Sequence, residues 1–464
     1  MKTNSKPRID RGTQRFARLL VFAFGATTVM WLLCYLAMLQ PGQIIGEALF
    51  VLVVLTLLLA SAMAGSTSPS STLAVIRGCW IGFISALLNL LLIGSILGGK
   101  SQGDMATWLV GLVVGSVVVS AVGGFIGSKL RRSEGERFTG NWLGAFTFIA
   151  ACIVFLMIVS GGIVTGFEAG LAVPDWPNSY GHNMLLYPLS EMIADLDDGI
   201  YYEHAHRLTG MYVGLTVLTL CLMLWWGDSR AWVGIAGSLL LLMVIGQGLL
   251  GGLRVTGQLT MSDNPELLSP NTALGIVHGV FGQICFAVMV FLAAVTTLRW
   301  SSGPRADETT SAGTDRFLGS ILVVALVFQL IIGAAYRHLT GEVGTKTDQT
   351  MLLLMGHIFM AVFVTVLIVI NGLRASTVHR ERFVLRRTGL ILLVLVCVQL
   401  LLGVVATIAV LMRGDGEGIP SLEVLATSAH QANGALLLGA ATLLAAWYFR
   451  LLRPSPKAPT MATA

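Results

Sequence analysis

Charge is what this sequence has least of. Asp, Glu, Lys and Arg make up 11% of its 464 residues, against 55% hydrophobic, whereas an ordinary soluble domain carries roughly 25% charged residues. With a mean hydropathy of +0.80, that scarcity excludes a water-soluble globular domain and makes lipid the solvent for most of the chain. The formal charge of +5 does not indicate nucleic acid, because the basic residues lie between apolar runs and form no basic face. Loop cysteine is also lacking. Cys34, Cys79, Cys152, Cys221, Cys285 and Cys397 all fall inside apolar runs, with no CxxC or CxxCH. This argues against a disulfide framework, a zinc site and covalent c-type heme attachment. No small-residue cleavage site follows the basic start, so the first apolar run is expected to stay as a span.

A spanning helix needs about 20 mostly apolar residues. Twelve stretches qualify, near 17–39, 44–64, 73–98, 107–129, 142–164, 204–226, 231–252, 273–298, 317–336, 351–373, 388–411 and 426–449. The fold class is therefore all-α, a polytopic membrane protein. With the N-terminus inside and the spans alternating, 23 of the 29 Lys and Arg residues fall on the inner side, as the positive-inside rule requires. Both termini are then expected in the cytoplasm. Polar linkers at 129–141 and 300–316 divide the chain into 1–135, 136–300 and 301–464, each with four spans.

The second and third blocks repeat one pattern. Spans seven, nine and eleven end in Gln-x-x-x-Gly (Gln247–Gly251, Gln329–Gly333, Gln399–Gly403), while span five ends in Ser160-Gly161-Gly162. Spans six, eight, ten and twelve open with His206, His278, His357 and His430, all near their outer ends. The pairs are separated by 72 and 73 residues, and Gly210, Gly282, Ala361 and Gly434 follow one turn later on the same face. A lone histidine in a span can simply hydrogen-bond across helices. Four at matched depth and spacing fit better as axial ligands of two hemes, each held between facing helices of a bundle. His182, His204, His338 and His379 lack the pattern and are not assigned as ligands. His204 is expected to be an interfacial bystander, and His379 to lie in an inner basic loop.

Glu203 stands three residues before His206 and shares its face. The third block has Leu354 and Thr427 in the corresponding places, so the two heme sites differ, and the first is the candidate for chemistry. Glu203 beside Arg207 also has a plainer reading as an interfacial acid. The longest outer loop, 165–203, holds no Lys or Arg. Pro174 and Pro177 in it exclude regular helix, and Asp175 and Trp176 suggest an ordered cap.

The segments GGIVTGFEAGLAVPDWP (161–177), EHAHR (203–207), LRVT (253–256), VHG (277–279), GHI (356–358) and the stretch opening at His430 resemble the heme A synthase family over residues 140–452. That resemblance implies a core of two similar four-helix bundles and oxidation of the C8 methyl of heme O to the formyl of heme A, for terminal oxidase biogenesis. It implies heme b as cofactor on His357 and His430, substrate heme on His206 and His278, and Glu203 as the catalytic acid beside that substrate. The partners it implies are heme O, membrane lipid, an unidentified electron donor, and a complex with heme O synthase or oxidase assembly factors. It is compatible with a homo-oligomer, and it places the chain in a bacterial inner membrane. Two features depart from the family pattern: residues 165–203 contain no cysteine pair, and spans one to four have no family counterpart and no histidine. An accessory or assembly role is expected for them. The rival readings are a diheme electron-transfer subunit, with two permanent hemes of equal status, and a transporter, suggested by twelve spans with an internal repeat.

Overall fold

In a computed structural model the described residues are 11–38, 43–97, 101–130, 141–194, 199–256, 272–303, 306–343, 348–413 and 419–454. Lys2, Lys6, Arg8, Lys100, Arg131, Arg132, Arg137, Arg305, Lys346 and Lys457, which entered the count of Lys and Arg, lie outside them. Among the described residues twelve helices are long and apolar enough to cross a membrane, and each of the twelve expected spans corresponds to one of them. The protein is an all-α polytopic membrane protein.

The contacts divide the chain into two compact units, Met1–Ser269 and Pro270–Ala464. In the first, α1 (Arg11–Met38), α2 (Gln43–Ser66), α3 (Ser71–Leu97) and α4 (Gln102–Lys129) precede α5 (Trp142–Gly166). A structured loop follows, with a short hairpin of β1 (Asn178–Ser179) and β2 (His182–Asn183), a 3-10 turn at Met184–Leu186, and α6 (Leu189–Met192). Next come α7 (Ile200–Gly227) and α8 (Ala231–Val255). Helix α7 packs on α5 and α8, and α1 packs on α2, α3, α5 and α7. Between membrane helices there is little hydrophobic driving force, so close backbone packing must supply the attraction. In α3 and α4 glycine provides it. A Cβ at Gly78, Gly82 or Gly124 would strike the backbone of Ser120, Ser116 or Ala74 respectively.

The second unit comprises α9 (Thr272–Val295), a short α10 (Leu298–Ser302), β3 (Asp307–Thr309), α11 (Ala312–Val343), α12 (Asp348–Leu373), α13 (Phe383–Met412), α14 (Ser421–Leu451) and β4 (Leu452–Pro454). Helix α14 packs on α9, α11 and α13, and α12 on α11 and α13. Strands β3 and β4 pair in parallel. The helices run beyond the apolar windows. Helix α14 begins at Ser421 and α7 at Ile200, because polar residues continue a helix after hydropathy has fallen. Gly199, at φ 74°, provides the left-handed backbone that starts α7.

Two histidines depart from expectation. His204 is fully buried, and its Nδ1 lies 3.2 Å from Ser179 Oγ, joining α7 to the hairpin. His379 is buried too. Its Nε2 lies 2.9 Å from Asp315 Oδ2, while Arg374 Nε donates to Asp315 Oδ1 at 2.8 Å. Both are parts of the packed structure, and sequence period alone shows neither partner.

Candidate functional site

The first turns of α7 carry the acid and the first histidine. Glu203 is 4% exposed, in a helix otherwise filled with apolar side chains, and a buried charge must be paired. Its Oε1 accepts from Arg207 Nη2 at 2.6 Å and Nε at 3.2 Å, and its Oε2 accepts from Val173 N–H at 2.8 Å. The i,i+4 spacing on α7 brings Arg207 to the acid. Arg207 then reaches beyond it, donating to the carbonyls of Val173 (2.6 Å), Asp175 (2.6 Å) and Asn178 (3.1 Å). One planar fork thus fastens the PDWP loop to the helix. Sequence reading placed Arg207 only as a neighbour of Glu203. The carbonyls it gathers, 29 to 34 positions earlier, leave no mark on local spacing.

Asp175 organises the loop from the other side. Tyr180 N–H and Gly181 N–H donate to its two carboxylate oxygens at 2.7 and 2.8 Å. Those residues sit at φ 49° and 75° between β1 and β2, the two positive values of a tight two-residue hairpin turn. Burial works against the charge on Asp175. The N–H donors of Gly181 and Tyr180, with the nearby Arg207, outweigh it and hold the carboxyl below the usual range. A depressed native pKa stabilises the loop fully above the ordinary carboxylate value of about 3.9, and that contribution disappears as pH falls below it through the native value. Protection of the amides across 173–183, relative to the intrinsic exchange rate at each pH, is therefore expected to be high at pH 5 and to fall below about pH 4. In Asp175→Asn it is expected to be low at both. Trp176 lies on the bare face of Gly252, and the Arg254 guanidinium lies over Gly170, so the end of α8 supports the same loop.

His206 projects toward α5. Its Nδ1 is 3.1 Å from Ser160 Oγ, and its Cε1 would lie 3.0 Å from a Cβ at Gly161. The second unit repeats this contact twice. His357 Cε1 would lie 2.7 Å from a Cβ at Gly333, and His430 Cε1 3.0 Å from one at Gly403. At Gln329–Gly333 and Gln399–Gly403 the Gln-x-x-x-Gly signal acquires a meaning that sequence reading missed: the glycine is the bed of the next histidine ring, and the glutamine addresses that ring. Gln329 Nε2 lies 3.3 Å from His357 Nε2 and donates to its backbone carbonyl at 3.1 Å. Gln399 Nε2 lies 3.1 Å from His430 Nε2, and Asn433 donates to Gln399 Oε1 at 2.6 Å. Gly333→Ala is expected to tilt His357 and change the absorption spectrum of heme bound there. Gly356→Ala, whose Cβ meets nothing within 4 Å, is expected to leave that spectrum unchanged.

The rings of His357 and His430 meet edge-on with centroids 6.3 Å apart, a spacing at which two imidazoles could bind one metal between them. Among the described residues no three His, Cys, Asp or Glu side chains meet at one point, so this pair offers two donors. A metal already held in a planar macrocycle needs just those two. The residues present fit heme. His278 lies on α9 in the second unit and His206 on α7 in the first.

The second unit also contains an acid that a search at the position of Glu203 misses. Glu423, two turns before His430 on α14, is 1% exposed, and its Oε1 accepts from Arg413 Nη1 at 3.3 Å.

These arrangements can be set beside known proteins. The chain is similar to a heme A synthase of Beijerinckia indica, 26% identical over 232 residues, which span 45% of this chain and 60% of that protein. A heme A synthase of Caulobacter sp. strain K31 is 25% identical over 372 residues, 70% of this chain and 98% of the relative. One of Mesorhizobium japonicum is 23% identical, over 45% of this chain and 58% of its own length. The chain thus spans about three-fifths of the Beijerinckia and Mesorhizobium relatives and nearly all of the Caulobacter one. The family model for the COX15-CtaA cytochrome oxidase assembly proteins matches residues 144–442, from the start of α5 into α14, leaving α1–α4 outside it. The match covers well over half of the chain, which belongs to the COX15-CtaA family of cytochrome oxidase assembly proteins.

Proposed function

We propose that this protein is a heme A synthase, an oxidoreductase that converts the C8 methyl of heme O to a formyl group for terminal oxidase biogenesis. The observation carrying this reading is the difference between the two histidine-bearing regions. Glu203, buried and loop-bound, stands one turn before His206, and Leu354 and Thr427 occupy the equivalent places before His357 and His430. In this reading His206 and His278 hold the substrate heme, and His357 and His430 hold a resident heme b. The three sequence blocks (1–135, 136–300, 301–464) are then an extension, a substrate-heme bundle and a heme b bundle. Oxygen or an equivalent oxidant takes up the electrons removed from the methyl, and an unidentified donor supplies those needed to activate it. The protein sits in a bacterial inner membrane with both termini cytoplasmic, and heme O synthase or oxidase assembly factors are its expected neighbours.

Heme iron, when bound, supplies the oxidising chemistry. The chain supplies position and proton control. His206, its Nδ1 3.1 Å from Ser160 Oγ, would hold the heme iron through its other ring nitrogen, with the serine setting the orientation of the ring. Glu203 accepts or stabilises a proton released at the methyl, and Arg207 balances its charge between turnovers. The loop from Val173 to Asn178 excludes water from this face.

The diheme electron-transfer reading has one observation in its favour: both Glu203 oxygens are already engaged, as in a purely structural ion pair. Expression in a strain that makes heme O, with chromatography of the extracted hemes, separates the two. Heme A in cells carrying the wild-type chain, and heme O or a hydroxylated intermediate in cells carrying Glu203→Gln, are expected. Heme B and heme O with no heme A from both would support the electron-transfer protein.

A further inference from the structure

The four helices that precede the family region reach the loop over Glu203 at two places. The first is through α1. Tyr201, two residues before Glu203 and 3% exposed, donates its hydroxyl to the backbone carbonyl of Tyr35 at 2.8 Å, with the two rings 5.5 Å apart. Further along α7, the Tyr212 hydroxyl reaches the Phe24 carbonyl at 3.0 Å. Helix α1 therefore holds the helix of Glu203 and His206 at two points three turns apart. The second contact is through α3. Buried Gly94 lies under the carbonyl of Leu185, and any Cβ there would collide with it. Leu185 belongs to the 3-10 turn that leads to Tyr187. The Tyr187 ring lies 5.7 Å from that of Tyr180, and Tyr180 donates its N–H to Asp175. A continuous path of contacts thus runs from α3 to the carbonyls held by Arg207.

We propose that α1–α4 form a brace for the proposed substrate-heme site, setting the position of the 173–187 loop and of the first turn of α7. Gly94 and Tyr201 are its positioning residues. Loops longer than about 12–15 residues are uncommon unless they serve function, and ordering each residue costs about 1–2 kcal/mol. The hairpin and the Arg207 fork hold one side of this loop, and α3 gives the other side a wall. A helix from outside the family region that meets the loop at a glycine, backbone to backbone, fits positioning better than an independent membrane module. The catalytic meaning of the brace rests on the proposed methyl oxidation, but the bracing does not.

The test uses the full-length protein in nanodiscs, without added heme, and hydrogen exchange read by mass spectrometry. In Gly94→Leu, exchange over 173–187 is expected to rise about tenfold, while peptides from α12 and α14 stay unchanged. Gly111→Leu, on α4 with open space around it, is expected to match wild type. Tyr201→Phe, which removes one hydroxyl, is expected to raise exchange over 173–187 and 199–204 by a few-fold. Should Gly94→Leu fail to assemble, Gly94→Ala places its Cβ against the same carbonyl and carries the same expectation. With heme O supplied, the braced-loop variants are expected to raise KM more than they lower kcat. Exchange over 173–187 equal to wild type in the Gly94 and Tyr201 variants would overturn the brace. Altered exchange in a chain that makes no heme A would leave it standing and remove the synthase reading alone.

Discussion

His430→Ala is expected to lose at least nine-tenths of the heme bound by the second unit, read as Soret absorbance per protein with the low-spin signature of two nitrogen ligands gone. Removing an outer partner of a ligating histidine typically lowers metal affinity about 10–100-fold, and deleting the ligand itself must do more. In the proposed reading His430 is one of two heme ligands: its ring centroid is 6.3 Å from that of His357, over Gly403 and beside Gln399. His357→Ala should behave alike, because the two rings are proposed to hold the same heme from opposite helices. His379→Ala is the matched control, since that imidazole is committed to Asp315, and it is expected to keep full heme content. Added imidazole should restore part of the spectrum in His430→Gly. A low-spin spectrum unchanged in His430→Ala would remove this residue from the ligand set.

Arg207→Ala is expected to cost about 3–5 kcal/mol, the range for breaking a buried ion pair by deleting one partner. The surface alternative, about 0–1 kcal/mol for an exposed pair, does not apply, since the side chains of Arg207 and Glu203 are 8% and 5% exposed. The loss has two parts. Glu203 is left as an uncompensated buried charge, and three loop carbonyls lose their donor. Arg207→Lys keeps the charge but not the planar fork, so it is expected to recover only part. Glu203→Gln combined with Arg207→Ala removes the orphaned charge, and is expected to be more stable than Arg207→Ala alone. Thermal unfolding in detergent reads the order, and heme A formation should fall by more than about a hundredfold in Arg207→Ala. Equal stability of Arg207→Ala and wild type would mean that the fork does not hold the loop.

The twelve spans were legible because lipid imposes one rule on composition, and nothing in the protein overrides it. The histidine pattern was legible because the two pairs repeat one spacing and one small neighbour. Contacts between helices were not. That Gly333 lies under His357, or that Arg207 collects carbonyls from Val173 to Asn178, depends on which faces meet, and a helical period fixes a face without naming its neighbour. Glu423 escaped for a related reason: the acid was sought one turn before His430 and stands two turns before it. His204 shows the opposite error. A polar residue off the pattern reads as a bystander until Ser179, twenty-five positions away, is seen to receive it.

The carboxyl group of Glu203 holds Val173 and Arg207 while standing beside the proposed reaction centre. A proton taken up there weakens both attachments at once, because charge-assisted bonds lose about half their strength when the acceptor is neutralised. If Glu203 serves the proposed reaction, its acid chemistry and the tightness of the covering segment depend on one ionisation.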